Sequence, residues 1–495
     1  MYLTAENILF IGSILIFSAI VISKAGYRFG VPALLLFLIV GMAFGSDGLG
    51  LVFNNYHQAQ FVGVAALSVI LFTGGMETRF DDIKPVLREG IILATFGVFL
   101  TTLFCGLFIY LLTRIGHLFA PMSIVMCFLM ASVMSSTDSA SVFNILKHCN
   151  IRLKENLRPM LELESGSNDP MAYVITIVLI QAAGTLFAPT AVADGVNYGL
   201  MVWNAVLTFT LQLGIGSLTG IAMGYAGSWL LRRIKLGSSP LYAIMLLTSA
   251  FFTISLTEML KGNGYLAVYI SGLIIGNKMI PQRKEIVTFL DGMTWLMQIV
   301  MFLLLGLLVN PHDMLKIAPL ALLIGLFMIL VARPAAVFLS LLPFRGISLR
   351  ARTYVSWVGL KGAVPIIFAT YPIVAGIPGS EQIFNIVFFI TILSLTIQGM
   401  SVTKVAKLLH LAMPEEKKPD TFGIEIPDEA GKLIDCTLTE EDLEDGHTLK
   451  EITLPEGARV VMIQRRSKLL VPDGSIQLHS GDKLLMIFGE NDVSQ

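Results

Sequence analysis

Apolar runs of membrane-crossing length recur along the first 412 residues. A hydrocarbon core of ~30 Å takes about 20 residues of helix. Thirteen such runs stand at about 7–23, 31–46, 60–76, 90–113, 119–146, 159–184, 199–231, 240–260, 263–277, 287–309, 315–343, 354–376 and 383–409. The whole chain is 55% hydrophobic and 14% charged, whereas a soluble domain carries about a quarter charged residues. That balance excludes a soluble cytosolic protein, a secreted disulfide scaffold and a disordered chain. The pattern predicts an all-α polytopic membrane protein. The first run has no basic leader and no small-residue cleavage site before the next, so it reads as a span and not as a cleaved signal.

Net charge is −1, but its distribution divides the chain. Residues 1–412 carry 25 Lys+Arg against 17 Asp+Glu, and residues 413–495 carry 9 against 18. With the N-terminus outside, the loops expected in the cytoplasm hold 18 basic residues, from Lys24 and Arg28 to Arg350 and Arg352. The opposite loops hold Arg114, Lys261 and Lys316. Short loops sort their Lys and Arg to the cytoplasmic side, so thirteen spans place the acidic tail in the cytoplasm. The expected location is a plasma membrane, the inner membrane of a bacterium.

Ionisable residues inside spans are costly unless paired or wet, and mark function by default. Span 5 holds Asp138 in Ser135-Ser136-Thr137-Asp138-Ser139-Ala140-Ser141. Span 6 holds Glu164 and Asp169 in Glu164-Ser165-Gly166-Ser167-Asn168-Asp169-Pro170. Span 11 holds Arg333 before Pro334, and span 12 holds Lys361 in Gly359-Leu360-Lys361-Gly362-Ala363-Val364-Pro365. Counted from the nearest basic belt at ~1.5 Å per residue, Asp138 lies roughly 13 Å deep, Asp169 roughly 16 Å, Arg333 roughly 18 Å and Lys361 roughly 13 Å. The bilayer midplane is ~15 Å in. Four charges from four spans therefore converge on one depth.

Helical phase separates their roles. Residues four apart share a face, so Ser165 goes with Asp169, and Glu164 with Asn168. The first pair offers hard oxygen ligands to a small cation. The second suits a basic partner such as Arg333. The Ser/Thr cluster of span 5 and the glycines of span 12 predict interrupted helices, which are tolerated at that depth only around a cavity or inside protein. Breaks at corresponding positions of two halves point to a transporter site. Spans 1–6 and 8–13 form such halves, inverted by the connecting span 7.

The blander alternative is that Asp138 and Asp169 are structural partners of Lys361 and Arg333 with no transported ion. Glu258, Asp291 and Glu6 read as interfacial or solvated residues. The histidines sit in loops or near span ends without a Ser or Cys partner, so no hydrolase constellation arises and the chain reads as a non-enzyme. No GxGxxG or GKS/T phosphate loop appears, which argues against ATP as the driving force. Four cysteines show neither CxxC nor zinc spacing. The 23 methionines read as packing filler.

These residues resemble the NhaP branch of cation–proton antiporters. Glu164-Ser165, Asn168-Asp169, Thr137-Asp138, Phe72-Thr73-Gly74-Gly75-Met76, Leu266 to Leu273 with Gly276-Asn277, and Trp357 to Val364 are similar to that family's motifs and follow its order. Ser139 stands where the family has Pro, and Lys361 where it has Arg, which keeps the charge but loses the planar fork. The resemblance implies an inverted-repeat fold with a dimerisation domain and a mobile core, working as a homodimer. It implies a monovalent cation held at Asp169 by the Thr137 backbone and Ser165, with Asp138 and Glu164 nearby. It implies that Arg333 pairs with Glu164 and orients Asn168, and that exchange is electroneutral. A bare carboxylate is disfavoured in a poorly hydrated cavity. A proton and a cation then compete for Asp169, and that exclusion is sufficient for coupling.

Residues 413–421 read as a linker and 422–495 as a small α/β, β-rich cytoplasmic domain. Ala458–Ile463 and Lys483–Phe488 alternate like strands, with a turn at Pro472-Asp473-Gly474. Residues 440–490 resemble the TrkA-C subdomain of potassium-conductance regulators, which implies a regulatory ligand of unidentified chemistry. The chain ends just after the last expected strand, leaving room for more sequence beyond it. Membrane body and tail together resemble the potassium–proton subgroup, so K+ is the favoured cation and Na+ or Li+ the alternative. A regulated K+ channel would need a Thr-Val-Gly-Tyr-Gly filter, which is absent. A symporter of organic solutes needs an aromatic-lined pocket, and an intramembrane protease a Ser–His or Asp–Asp arrangement. No cofactor and no nucleic-acid partner are expected; the partners are membrane lipid and a second copy of the chain.

Overall fold

The computed structural model describes residues 5–27, 31–115, 122–187, 197–278 and 282–414, and in the tail 433–438, 443, 446–452, 454–455, 458–465 and 468–488. Arg28 lies outside them. The chain divides into two compact units, Met1–Pro414 and Glu415–Gln495.

The first unit is helical. Its elements are α1 (Ala5–Tyr27), α2 (Ala33–Phe44), α3 (Tyr56–Glu77), α4 (Phe80–Arg114), α5 (Ile124–Val133), α6 (Ser139–His148), β1 (Ile151–Leu153), α7 (Leu157–Phe187), α8 (Tyr198–Arg233), α9 (Ser239–Met259), α10 (Gly264–Gly276), α11 (Arg283–Leu308), α12 (Pro311–Ser340), α13 (Leu349–Trp357), α14 (Ala363–Val374), α15 (Ser380–Leu408) and β2 (Ala412–Pro414). Among the described residues, eight helices are long and apolar enough to cross a membrane. Five shorter apolar helices stand at Leu9–Lys24, Ala33–Phe44, Ile124–Val133, Gly264–Gly276 and Ala363–Val374.

Two of the apolar runs hold two helices each. The run at 119–146 contains α5 and α6 with non-helical backbone at Ser136–Asp138 between them. The run at 354–376 contains the end of α13 and then α14, separated by Gly359–Gly362. The helices that precede these interruptions, α4 and α12, each widen into one π-helical turn, at Leu93–Gly97 and Met328–Ala332. Pro334 explains the second, because it has no N–H to give the preceding turn and its ring crowds that carbonyl. The first has no proline and no local cause.

Close helix pairs rest on small residues, the usual device where lipid removes the hydrophobic drive. A Cβ on Gly75 would meet the Tyr269 carbonyl at 2.5 Å, one on Gly272 the Phe72 carbonyl at 2.3 Å, and one on Gly276 the Met76 carbonyl at 2.1 Å. α3 and α10 therefore touch backbone to backbone. Gly41 and Gly306 do the same for α2 and α11. At the end of the unit, β2 pairs antiparallel with β1, Leu153 opposite Ala412 and Ile151 opposite Pro414. Met413 and Pro414, the first residues of the expected linker, are thus paired as strand, with Pro414 exposed.

The second unit holds β3 (Leu433–Thr437), β4 (Ala458–Arg465), β5 (Lys468–Leu470) and β6 (Lys483–Phe488). They form one antiparallel sheet in the order β3-β6-β4-β5, with a bulge between Val460 and Met462. Leu438, Leu443, Ile452, Ile463, Leu478, Leu484 and Met486 make its core. Arg465 donates to Asp482 at 2.7 Å, and the His479 amide donates to it at 2.9 Å. Burial alone would raise the Asp482 carboxyl, but Arg465 and the His479 amide outweigh it and hold it below the usual range.

Candidate functional site

Asp138 sets the first interruption. Its carboxylate caps α6, accepting from the Ser141 amide at 3.1 Å and from the Ser141 hydroxyl. Asp is among the best N-caps because it supplies an acceptor to an orphan amide. Hydroxyl side chains reinforce the break by offering the backbone other partners. The Ser135 hydroxyl bonds back to the Ser132 carbonyl at 2.6 Å. Ser165 on α7 accepts from the Ser139 amide at 3.1 Å and donates to the Thr137 carbonyl at 3.0 Å.

The second interruption presses against the first. A Cβ on Gly362 would lie 2.5 Å from Asp138 Oδ2, so only glycine fits there. The Asp138 amide donates to the Leu360 carbonyl at 2.8 Å. Lys361 extends its ammonium to the Ser136 carbonyl at 2.9 Å. Its own amide donates to Ser394 Oγ, which donates to Gln398, whose side-chain amide donates to the Trp357 carbonyl. Lys361 is fully enclosed, and it sits beyond the C-terminal end of α5, where the helix dipole favours a cation.

α7 passes between these segments as one helix, with Pro170 inside it. Without a Pro170 N–H, the Gly166 carbonyl loses its helical donor beside the site. Asp169 is only 6% exposed and accepts from the Ser136 hydroxyl. Glu164, also buried, takes the Arg333 guanidinium in a direct ion pair. Asn168 turns elsewhere: its amide donates to the Thr137 hydroxyl and, at 3.4 Å, to the Thr137 carbonyl. The phase argument grouped Asn168 with Glu164 as a partner for Arg333. In the structure the described bond of Arg333 is to Glu164, while Asn168 gives its amide to Thr137 and makes no described bond to Arg333.

All eight residues singled out in the sequence therefore meet in one place: Thr137 and Asp138 from the first interruption, Glu164, Ser165, Asn168 and Asp169 from α7, Arg333 from α12 and Lys361 from the second interruption. Two contributors escaped the sequence reading. Ser136 stands inside the quoted hydroxyl run, yet nothing in the run separates it from Ser135 or Ser139. The other is an aromatic cluster on the far side of Asp169. Tyr173, one turn along α7, packs edge-on against Tyr265 and Tyr371 with ring centres 4.9 and 5.4 Å away. The Tyr265 and Tyr371 hydroxyls meet at 2.8 Å. Asp138 and Ser165 to Ser167 keep partial exposure, whereas Tyr173 and Tyr265 are buried. The site is thus partly open beside Asp138 and Ser165 to Ser167, while tyrosine rings pack on the other side.

Among the described residues, no group of three or more His, Cys, Asp or Glu forms a chelating metal site. What the site offers is carboxylate, hydroxyl and carbonyl oxygen, the donor set of hard cations.

The family model for the sodium/hydrogen exchanger transmembrane domain matches residues 13–408. The chain belongs to the sodium/hydrogen exchanger family. The exchanger domain is followed by a match to the TrkA-C domain at residues 437–495. Among curated proteins, a protein named K(+)/H(+) antiporter NhaP2 from Shewanella sp. (strain ANA-3) is 39% identical, over 97% of this chain and 80% of that protein. One named K(+)/H(+) antiporter NhaP from Alkalimonas amylolytica is 36% identical, over 98% of this chain and 82% of that protein. Among solved structures, the sodium proton antiporter MjNhaP1 from Methanocaldococcus jannaschii at pH 8 superposes with a TM-score of 0.67. It is 20% identical and covers 82% of this chain and 99% of its own. That likeness establishes the fold of the first unit, and the family model identifies it as a transmembrane domain.

Proposed function

We propose that this exchanger carries K+ and H+ in opposite directions across a bacterial inner membrane, one for one and without net charge. The observation that carries this reading is Asp169: a buried carboxylate that accepts from the Ser136 hydroxyl and lies among the hydroxyl and carbonyl oxygens of the first interruption. K+ is chosen over Na+ because the curated relatives that match along the whole length, tail included, are named K(+)/H(+) antiporters.

In this reading Asp169 takes either ion. The Thr137 carbonyl and the Ser165 hydroxyl complete the cation's shell, with Asp138 and Glu164 as outlying charges. Arg333 neutralises Glu164, Asn168 orients Thr137, and Lys361 compensates the ends of the interrupted helices. The segment that carries Asp169 crosses the apolar barrier only when proton or cation neutralises it, since a bare buried charge costs several kcal/mol. One carboxylate cannot hold both, so each crossing carries one ion. No cofactor is required.

The same reading takes the thirteen apolar helices as thirteen spans, in two inverted halves with broken helices in spans 5 and 12. It puts the N-terminus outside, a linker from residue 415 to 421, after β2, and a cytoplasmic regulatory domain at 422–495. The assembly is a homodimer.

The test is purified protein in liposomes with an acidic interior and a trapped pH dye. External K+ is expected to alkalinise the lumen, with or without a potential clamp. A response to Na+ or Li+ alone would keep the mechanism and replace the substrate. No response to any cation from folded protein would overturn the reading.

A further inference from the structure

In the first interruption, Ser136 has its hydroxyl and its carbonyl engaged by two different charged groups. The Ser136 hydroxyl donates to Asp169, and the Ser136 carbonyl accepts from the Lys361 ammonium at 2.9 Å. Ser136 is 1% exposed, so neither bond competes with bulk water. Its neighbour Ser135 is equally buried but bonds only to its own helix, at the Ser132 carbonyl. No motif quoted above assigns Ser136 a role.

We infer that Ser136 is a further ligand of the ion site, whose hydroxyl holds the place of the cation on Asp169 and turns to ligate it when it arrives. The inference rests on Asp169 being the carrier. A hydroxyl has one donor and two acceptor lone pairs. With Asp169 bare, the hydroxyl donates and offsets part of its charge, as described. With Asp169 protonated, the same oxygen accepts the carboxyl proton. With a cation on Asp169, it turns a lone pair to the ion. An alanine meets none of these states. The lysine keeps the arrangement fixed, because its bond to the Ser136 carbonyl stops the peptide from following the rotating hydroxyl. Lys361 thus bears on the ion through Ser136 as well as through its charge. Hydrogen bonds to charged groups are among the stronger ones, so the effect is large enough to read in transport.

The experiment compares Ser136→Ala, Ser136→Thr and Ser135→Ala in full-length protein in liposomes, with Asp169→Asn as reference and thermal unfolding as the check on folding. Ser136→Ala is expected to raise the KM for K+ about tenfold at fixed pH with little change in kcat. It is also expected to move the pH profile of exchange to the alkaline side, since a donor to the charged carboxylate has been lost. Ser136→Thr, which keeps the hydroxyl, is expected to restore both, and Ser135→Ala to change neither. If Ser136→Ala does not fold, Ser136→Cys, with its weak donor, is expected to give the same two shifts in smaller measure. Unchanged KM and pH profile in folded Ser136→Ala, with Asp169→Asn inactive, would overturn the inference and leave the carrier intact. Exchange by Asp169→Asn would instead overturn the carrier.

Discussion

The backbone amide of Asp138 donates to the carbonyl of Leu360 at 2.8 Å. The two residues lie more than two hundred positions apart, each in the non-helical stretch of its own run. The bond locks the two interruptions together, so neither shifts without the other. Lys361 and Asp138 therefore travel as one piece.

Asp169 has no replacement nearby. Asp138 spends its carboxylate capping α6, and Glu164 is bound to Arg333. Asp169→Asn is expected to keep size, helicity and unfolding temperature and to lose all K+-driven pH change in liposomes. Proton-coupled flux retained in that variant would refute the assignment.

The pair of Arg333 and Glu164 is enclosed on both sides. Removing one partner of a buried pair leaves a bare charge, a loss of about 3–5 kcal/mol. Arg333→Met is expected to lower thermal stability sharply. Arg333→Met with Glu164→Gln removes both charges and is expected to recover most of it. Equal instability of the single and double variants would mean that the pair does not carry the effect.

Gly362 marks the tightest contact between the two interruptions. A Cβ there lands 2.5 Å from the Asp138 carboxylate, a collision that backbone movement must relieve at about 1–3 kcal/mol. Gly362→Ala is expected to lower both the unfolding temperature and the exchange rate. Gly74→Ala, with nothing within 4 Å of the added atom, is the control and is expected to be silent. A silent Gly362→Ala would show that the contact has slack.

The tail carries a pH dependence of its own. The Asp482 carboxyl is held low in the fold by Arg465 and the His479 amide, against its burial. A group whose folded value lies below its unfolded one stabilises at pH above the unfolded value of about 3.9. That stability is lost as pH falls through the folded value. The protection factors of amides over 458–488 in the full-length protein, exchange rates divided into the intrinsic rate at each pH, are therefore expected to be constant from pH 8 to 5 and to fall below about 4. Asp482→Asn is expected to be less protected throughout and to lose the acid step. An acid step that survives in Asp482→Asn would move its origin elsewhere.

The helices of the first unit were legible because lipid imposes a length and a composition that chance does not produce. The charged residues were legible because burial in lipid is so costly that each one asks for a reason. Glu164 and Arg333 announced themselves this way, from two distant helices. Ser136 did not: five of seven residues in its run carry a hydroxyl, and only the path of the broken backbone selects one. Tyr173, Tyr265 and Tyr371 drew no reading from the sequence, since nothing local says that three helices bring their rings together. The π-turn at Leu93–Gly97 and the pairing of Ile151–Leu153 with Ala412–Pro414 also left no local trace, being consequences of tertiary fit.

Along α3 and α10, the glycines bring peptide planes into contact with no side chain between them. Joints made of side chains soften on heating as rotamers unlock, one small step at a time. This joint has no rotamers to release. It stays at full stiffness until it parts altogether, so in a thinned or overheated bilayer the helix pairs joined through side chains slacken first, and this joint, like that of α2 and α11, fails late and abruptly.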